Sequence, residues 1–215
     1  MLDAVYFKTL PAGPFGTNAY LIGPGDSDMA VLIDAPPQCA SMVRRTLDED
    51  SRRLAALLIT HPHFDHVLDA SSFAAEGIPV HAHRDAEAGL AAPDALGLVP
   101  MPSEGFPGAE IDVPLAGGDR ITLAGMTIHC LSVPGHSPGS LAFHFPDFGL
   151  CFVGDAIFQG SVGRTDLPGG DFDRLAESIQ TKIYSLSDDT ELCPGHGPRS
   201  TVGHEKRSNP FVRGG

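Results

Sequence analysis

Residues 60–66 read Thr60-His61-Pro62-His63-Phe64-Asp65-His66, which places four potential metal ligands within six residues. The run directly follows residues 54–59 (Leu-Ala-Ala-Leu-Leu-Ile), an apolar segment that is typical of a buried strand. Alternate residues of an extended segment face the same side, so His61 and His63 can bind one ion together. Asp65 and His66 follow Phe64, and there they can bind a second ion. The spacing therefore indicates two metal ions, since imidazole nitrogens and carboxylate oxygens suit zinc, iron or manganese.

Taken alone, this cluster also fits a surface patch, a nickel-type binding tract or one metal site with spare ligands. Three further candidate ligands argue against these interpretations, because each one follows an apolar, strand-like run. They are His136 in Val133-Pro134-Gly135-His136, Asp155 at the end of Leu150-Cys151-Phe152-Val153-Gly154-Asp155, and His196 in Cys193-Pro194-Gly195-His196. Folds of the α/β type build sites from loops at one edge of a sheet. Four strand ends are thus expected to deliver seven ligands.

The composition limits the class of protein. A chain of 215 residues has the length of one domain, and a hydrophobic content of 42% is enough to fill a sizeable core. The 25 glycines and 19 prolines indicate many turns, which fits ligands carried on loops. A formal net charge of −13 repels phosphate backbones, so a nuclease is not expected.

The sequence gives no sign of export or of membrane insertion. Residues 1–6 (Met-Leu-Asp-Ala-Val-Tyr) do not resemble a signal peptide, and no apolar stretch approaches membrane-spanning length. We therefore expect a cytoplasmic protein with no membrane, nucleic-acid or protein partner. The four cysteines show no C-x-x-C spacing, and Cys130 and Cys151 are expected to be small buried hydrophobes.

Periodicity alone predicts a mixture of strands and helices. Helices are expected at residues 38–49, 65–75, 84–91 and 172–185, where apolar side chains recur at helical spacing. Strands are expected at residues 5–10, 19–23, 29–34, 54–59, 78–81, 120–123, 126–131, 140–145, 150–153 and 190–193. Residues 92–114 are rich in proline, glycine and alanine without a clear period, and we expect a functional loop there, over the metal site.

The motif order His-x-His-x-Asp-His, Gly-His, Gly-Asp and Gly-His resembles the metallo-β-lactamase superfamily. The resemblance covers essentially the whole chain from residue 18 onward, and it is closest to the short glyoxalase II-like (hydroxyacylglutathione hydrolase-like) hydrolases. The segments that carry it are residues 154–158, 163–166, 194–198, 205–206 and 209–211. It implies one domain over residues 1–215 of the α+β class, built as an αββα four-layer sandwich. It also implies that the C-terminal helical extension, which helps full-length glyoxalase II to hold glutathione, is lacking.

The same resemblance assigns roles to individual residues. It implies two divalent metal ions, zinc first with iron or manganese as alternatives. One is held by His61, His63 and His136, the other by Asp65, His66 and His196, with Asp155 bridging the two. A water held between them would lose a proton near neutral pH and attack a thioester carbonyl. Asp65 and Asp155 are therefore the expected catalytic carboxylates.

Two basic residues are expected to position an anionic substrate tail. They are Arg164, in Gly163-Arg164-Thr165-Asp166, and Lys206, which matches a basic position of the subgroup. An ion pair of Arg164 with Asp166 or Asp171 is the structural alternative, and a helix-end salt bridge is the alternative for Lys206.

The resulting expectation is a dinuclear thioester hydrolase that acts on S-lactoylglutathione or a similar acyl-thiol. One alternative is an iron-dependent persulfide dioxygenase acting on glutathione persulfide, which shares residues 163–166; another is a non-catalytic metal-binding module. Residues 194–198 favour the hydrolase. Hydrolysis of β-lactams is not expected, because no export signal is present and Asp65 differs from the corresponding residue of many lactamases. The sequence leaves the exact substrate, the metal bound in the cell, the oligomeric state and the role of loop 92–114 open.

Overall fold

A computed structural model describes residues 5–93 and 106–214 of the chain. Within them, two six-stranded sheets pack face to face and helices cover the outer face of each sheet. This is the αββα sandwich that the sequence predicts, and the prediction of fold class is confirmed.

The first sheet is built from the N-terminal half of the chain. Its strands are β1 (Val5–Ala12), β2 (Thr17–Pro24), β3 (Met29–Ile33), β4 (Arg53–Leu58), β5 (Val80–His83) and β6 (Val113–Leu115). They lie side by side in sequence order, antiparallel from β1 to β3 and parallel from β3 to β6. The connecting helices are α1 (Cys39–Glu49), α2 (Phe64–Val67), α3 (Ala70–Ala74) and α4 (Glu87–Ala91), the last preceded by a 3-10 turn at Arg84–Ala86.

The second sheet is built from the C-terminal half. Its strands are β7 (Arg120–Leu123), β8 (Met126–Ser132), β9 (Leu141–Phe145), β10 (Leu150–Gly154), β13 (Glu191–Pro194) and β14 (Ser200–Thr201), with a separate hairpin formed by β11 (Ile157–Phe158) and β12 (Ser161–Val162). The spatial order is β14-β13-β10-β9-β8-β7, and only β10 and β13 run parallel. A 3-10 turn lies at Pro146–Phe148, and helix α5 (Phe172–Ser178), a π-helical turn (Ile179–Ile183) and helix α6 (Val202–Ser208) follow.

Side chains that alternate along the strands form three buried apolar layers, one between the two sheets and one between each sheet and its helices. On β2, Tyr20 and Ile22 face the space between the sheets, while Ala19 and Leu21 face the helices of the first sheet. Successive strand residues point to opposite faces, so a strand buried on both sides reads as an uninterrupted apolar run. The four cysteines are unpaired and buried, as expected for small hydrophobes.

The predicted helix over residues 65–75 is wrong in its continuity, because it is split into α2 and α3. The backbone N–H of Ala35 donates to the carbonyl of His66 (2.8 Å), and that of Asp69 donates to the carbonyl of Ala35 (3.0 Å). These bonds to the chain that follows β3 replace part of the helical ladder. The interruption ties Asp65 and His66 to the end of a neighbouring strand.

The predicted loop over residues 92–114 falls largely outside the described residues, which omit residues 94–105. In the described part, Ala92 and Pro93 line a cavity together with the ligand His63, whereas Ala109 is buried in the core between the first sheet and its helices, and β6 extends the sheet. A position of the whole loop over the metal ligands stays a prediction. None of the described helices has the length and apolar character that a bilayer crossing needs. The cellular location stays a prediction of the sequence.

Aromatic rings join the two sheets. Phe152 on β10 is fully buried, with its ring centroid 5.1 Å from that of Tyr20 on the first sheet and 5.3 Å from that of Phe145 on the second. We predict that Phe152→Ala lowers the free energy of unfolding by about 3–5 kcal/mol, because truncation removes apolar contacts and leaves a cavity. Urea denaturation of metal-free protein measures this. Phe172→Ala, at a side chain that is 42% exposed, is the control and should change stability by less than about 1 kcal/mol. Equal losses for the two variants would contradict the assignment of Phe152 to the inter-sheet core.

Candidate metal centre

The seven predicted ligands lie together at one edge of the sandwich. His61 and His63 follow β4, Asp65 and His66 lie in the single turn of α2, and the other three follow β8, β10 and β13. Three overlapping groups have ligand atoms within 4.8 Å of one another: His61, His63 and His136; His61, His66 and Asp155; and Asp65, His66 and His196. Residues up to 135 positions apart in sequence thus face one small volume.

The resemblance implies a first group of ligands (His61, His63 and His136) and a second group (Asp65, His66 and His196). Asp155 lies between these two groups. One of its oxygens, Oδ2, is 3.7 Å from Nε2 of His136 and 3.4 Å from Nε2 of His196. The other, Oδ1, is 3.3 Å from Nε2 of His66. In the second group Nε2 of His196 is 3.2 Å from Oδ2 of Asp65. A carboxylate in this place can serve both positions, because it has two oxygens to share.

The hydrogen bonds of the first group leave two imidazole lone pairs facing each other. Nδ1 of His136 donates to the carbonyl of Arg164 (2.8 Å), so its Nε2 carries no proton in the neutral ring. Oγ1 of Thr60 donates to Asp34 and accepts from Nδ1 of His61, which leaves Nε2 of His61 in the same state. The two Nε2 atoms are 3.2 Å apart. Such a pair is repulsive unless a cation lies against both nitrogens.

The second group also contains buried polar atoms that lack a hydrogen-bond partner. Nε2 of His66 and Oδ1 of Asp155 are buried and have no hydrogen-bond partner among the described residues. Leaving buried polar atoms without partners is costly, and a divalent cation would satisfy both. The donor set of imidazole and carboxylate therefore fits two divalent metal ions in electronic character as well as in number.

Asp34 orients the ligands and was not singled out in the sequence. Its Oδ1 accepts from the N–H of Thr60 (2.8 Å), and its Oδ2 accepts from Oγ1 of Thr60 (2.8 Å) and Nδ1 of His66 (2.7 Å). It adopts φ 59°, in the left-handed region, which is uncommon for residues other than glycine but is open to aspartate more readily than to most. Partners of this kind fix the tautomer of a ligating histidine. The signal was present, because Asp34, like Asp155, ends an apolar strand.

Burial keeps the imidazoles of the first group neutral. It lowers the pKa of His63 to about 4 and, with the neighbouring rings, lowers the pKa of His61 well below its ordinary value. Burial also lowers the pKa of His136, although Asp155 opposes this. A metal ion entering this group at neutral pH has no proton to displace from these rings.

The pKa values of the two histidines in the second group are raised instead of lowered. Burial disfavours the charged form of His196, but the hydrogen bonds to Asp155 and Asp65 outweigh it and raise the pKa of His196 to about 9. For His66 the charges of Asp155 and Asp34 likewise outweigh burial and raise its pKa well above its ordinary value. A metal ion must therefore compete with protons for the second position.

A cavity of about 320 Å³ opens onto the ligands. Its walls combine ligands with apolar side chains: Phe15, His63, Phe64, Asp65, His136, Asp155, Phe158, Arg164, Leu167 and His196 line it. The rings of Phe15 and Phe64 meet edge to face, with centroids 5.5 Å apart. These aromatic wall residues were not anticipated, because a single phenylalanine carries no sequence signal of the cavity that it will line.

Motif residues near the C-terminus hold the hairpin that carries Phe158. Glu205 is fully buried, and its carboxylate accepts from the N–H of Gly160 (2.9 Å), from Nδ2 of Asn209 (2.9 Å) and from the hydroxyl of Ser200. Nδ2 of Asn209 also donates to the carbonyl of Ser161 (3.0 Å). The segments that carried the resemblance at this end of the chain therefore support the cavity wall.

The two predicted substrate-binding cations differ in placement. Arg164 lines the cavity, and it donates to both oxygens of Asp166 (2.7 and 2.8 Å) while its side chain is 59% exposed. Lys206 lines a different cavity, with Gln180, Tyr184 and Gly214, and its Nζ is 2.6 Å from Oδ1 of Asp188. A substrate role for Lys206 stays a prediction that this placement does not favour.

Comparisons with known proteins agree with this geometry. The profile of the metallo-beta-lactamase superfamily matches residues 12–196. The hydroxyacylglutathione hydrolase GloC of Haemophilus influenzae is 34% identical over 212 residues, which cover 95% of this chain and 97% of that protein.

Two solved structures are also similar over almost the whole chain. A B3 metallo-β-lactamase called BLEG-1 superposes with a TM-score of 0.89 at 34% identity, covering 97% of this chain and 100% of its own. A protein called TTHA1623, solved in a di-iron-bound form, has a TM-score of 0.78 at 36% identity, covering 95% of this chain and 100% of its own.

We predict that the second equivalent of zinc releases more protons than the first. His196, with a pKa of about 9, is protonated at pH 7.5 and must lose that proton on binding, whereas His61, His63 and His136 are already neutral. Apparent affinity for the second ion should rise at least about tenfold per unit between pH 7 and pH 8. Calorimetric titrations in buffers of different ionisation enthalpy measure the protons. His196→Ala should abolish binding of the second zinc equivalent. Equal proton release by the two zinc equivalents would contradict the prediction.

Proposed function

The chain belongs to the metallo-β-lactamase superfamily, and on that premise we propose that it is a metal-dependent thioester hydrolase of the glyoxalase II-like type. The proposed substrates are hydroxyacylglutathiones such as S-lactoylglutathione, or closely related acyl-thiols. The proposed cofactor is a pair of divalent ions, zinc first, with iron or manganese as alternatives. The observation that carries this proposal is the position of Asp155, whose two oxygens face both groups of histidines at 3.3–3.7 Å.

The similarity to GloC supports the choice of reaction, because that relative is named as a hydroxyacylglutathione hydrolase and matches over nearly its full length. Two divalent ions bound at such a site would supply an activated water and polarise the carbonyl that it attacks. No serine or cysteine nucleophile is then required. All four cysteines are buried away from the cavity, which agrees with such a mechanism.

The chain's own residues would prepare this chemistry. His61, His63 and His136 form one cradle, while Asp65, His66 and His196 form the other. Burial would raise the pKa of Asp155, but the positive charge on His66 and a hydrogen bond from His196 outweigh it and hold that pKa well below its usual range. The carboxylate is therefore ionised throughout the neutral range and ready to bind cations. The thiolate product is a good leaving group, so the site needs no strong proton donor beside the sulfur.

The cavity supports an acyl-thiol substrate. Phe64, Phe158 and Leu167 give it apolar walls that would exclude bulk water from the reacting carbonyl. Among the described residues, Arg164 contributes a guanidinium to its lining, and this side chain is 59% exposed. This arrangement would place an acyl group inside and the anionic part of the thiol at the entrance.

We predict that zinc-loaded protein releases thiol from S-lactoylglutathione and that chelation lowers the rate by about a hundredfold or more. Elemental analysis before and after chelation, paired with the thiol assay, measures both quantities on the same sample. Added zinc should restore the rate. Loss of metal without loss of rate would exclude metal-dependent hydrolysis.

The competing activity is an iron-dependent persulfide dioxygenase, favoured by the segment Gly163-Arg164-Thr165-Asp166 and by the iron in the similar TTHA1623 structure. Oxygen uptake with glutathione persulfide separates the two reactions. One iron per chain with rapid oxygen consumption, and no thiol release from acyl-glutathiones or acyl-CoAs, would replace the hydrolase with the dioxygenase.

Because BLEG-1 is named as a lactamase, a chromogenic β-lactam belongs in the same assay. A rate above that of the thioester would also overturn the proposal.

We predict that Arg164→Ala raises KM for S-lactoylglutathione about two- to fivefold and leaves kcat within about twofold. An exposed charge contributes little to binding because solvent screens it, and it would contact the tail rather than the reacting atoms. Steady-state kinetics measure both parameters. The matched control is Arg53→Ala, which breaks a similar exposed pair with Asp28 at the opposite end of β4 from His61. A fall in kcat with unchanged KM would show that Arg164 acts on the reaction itself.

A further inference from the structure

The ring of His196, like that of His63, lacks the hydrogen bond that supports the other three ligating imidazoles. Nδ1 of His61, His66 and His136 is hydrogen-bonded to Thr60, Asp34 and the carbonyl of Arg164, respectively. For His196, no group of the described residues is hydrogen-bonded to Nδ1. Its side chain is also the most exposed in the second group, at 29%, against 0% for His66 and 13% for Asp65. The position of His196 therefore depends on the backbone of its loop.

That loop is held by strand β2, from the other end of the chain. Nδ2 of Asn18 donates to the carbonyls of Pro194 and Gly197, both at 3.0 Å. The hydroxyl of Tyr20 donates to the carbonyl of Pro194 at 2.7 Å, and the N–H of Asn18 donates to the carbonyl of Gly195 at 2.7 Å. Asn18 and Tyr20 are buried, so water does not compete for these bonds.

The loop held in this way lies directly against the ligands. A Cβ at Gly195 would come within 2.2 Å of Oδ1 of Asp155 and 2.5 Å of Cε1 of His66. A small shift of the loop would therefore change the distances of His196 from Asp155 and Asp65. The residue before Asn18, Thr17, donates from Oγ1 to Oδ2 of Asp65 at 3.1 Å. Strand β2 thus contacts both segments that carry the second position, helix α2 and the loop at residues 194–197, and it makes no hydrogen bond to His61, His63 or His136.

We propose that Asn18 and Tyr20 are positioning residues that set the affinity of the second metal position, formed by Asp65, His66 and His196. They act through the loop at residues 194–197 and leave the first position almost unaffected. The inference rests on the proposed dinuclear centre, but it concerns metal affinity and does not depend on the identity of the substrate.

The test compares Tyr20→Phe with Tyr184→Phe. Each removes one buried hydroxyl that donates to a backbone carbonyl at 2.7 Å, to Pro194 in the first case and to Val212 in the second. Tyr184 is not among the residues that line the cavity or contact the ligands. Asn18→Ala is a second and more severe variant. Stepwise zinc dissociation constants from competition with a chromophoric chelator are measured alongside metal content after dialysis.

Tyr20→Phe is expected to weaken the second zinc about tenfold or more with the first unchanged, and Asn18→Ala should retain one zinc after dialysis where wild type retains two. Tyr184→Phe should bind both ions as wild type does, although both tyrosine variants lower the thermal stability of the metal-free protein by similar amounts. The proposal is overturned if Tyr20→Phe keeps both constants, if both constants fall equally, or if Tyr184→Phe shows the same change.

The two hypotheses fail in different ways. A wild-type protein that binds two zinc ions but hydrolyses no thioester would remove the proposed function, and the metal constants of the variants would still decide the role of Asn18 and Tyr20. A wild-type protein that binds one ion would overturn the positioning role, because no second affinity would exist. The thioester assay would then judge hydrolysis separately.

Discussion

The structure depends on a group of lone pairs that converge without hydrogens between them. The Nε2 atoms of His61 and His136 face each other, because the Nδ1 atom of each ring is committed to a hydrogen bond, and the carboxylate of Asp155 lies beside them. This arrangement costs free energy in an empty site and gains it when cations bind. The edge of the sandwich is therefore built for metal at the expense of its own stability.

The two halves of the site differ in how they are held. The first group consists of buried, neutral imidazoles, two of which have a fixed partner behind the ring. The second contains Asp65, a protonated His196 and a loop that is held from β2. The second group is thus the more exposed of the two, and its histidines hold their protons more strongly. In the proposed dinuclear centre, the second position is therefore the one whose metal affinity depends more on pH.

Several features could be predicted because they depend on neighbours in sequence. The apolar runs before His61 and Asp155 identify buried strands, and ligands placed immediately after such runs must meet at a sheet edge. The prediction failed where distant backbone intervened. The helix expected over residues 65–75 is divided, since Ala35 takes hydrogen bonds that the helix would otherwise make. Asp34 was overlooked for the same reason, because its importance lies in contacts with Thr60 and His66, 26 and 32 positions away.

The sequence by itself determined the ligand types, their order and the strands that carry them, because these follow from local chemistry and hydrophobic period. The tertiary structure alone decided that Arg164 lines the cavity and Lys206 does not, and that Asn18 and Tyr20 support a loop more than 170 residues away. Such pairings depend on how two sheets are stacked, which is a property of the packed core. No periodicity along the chain records them.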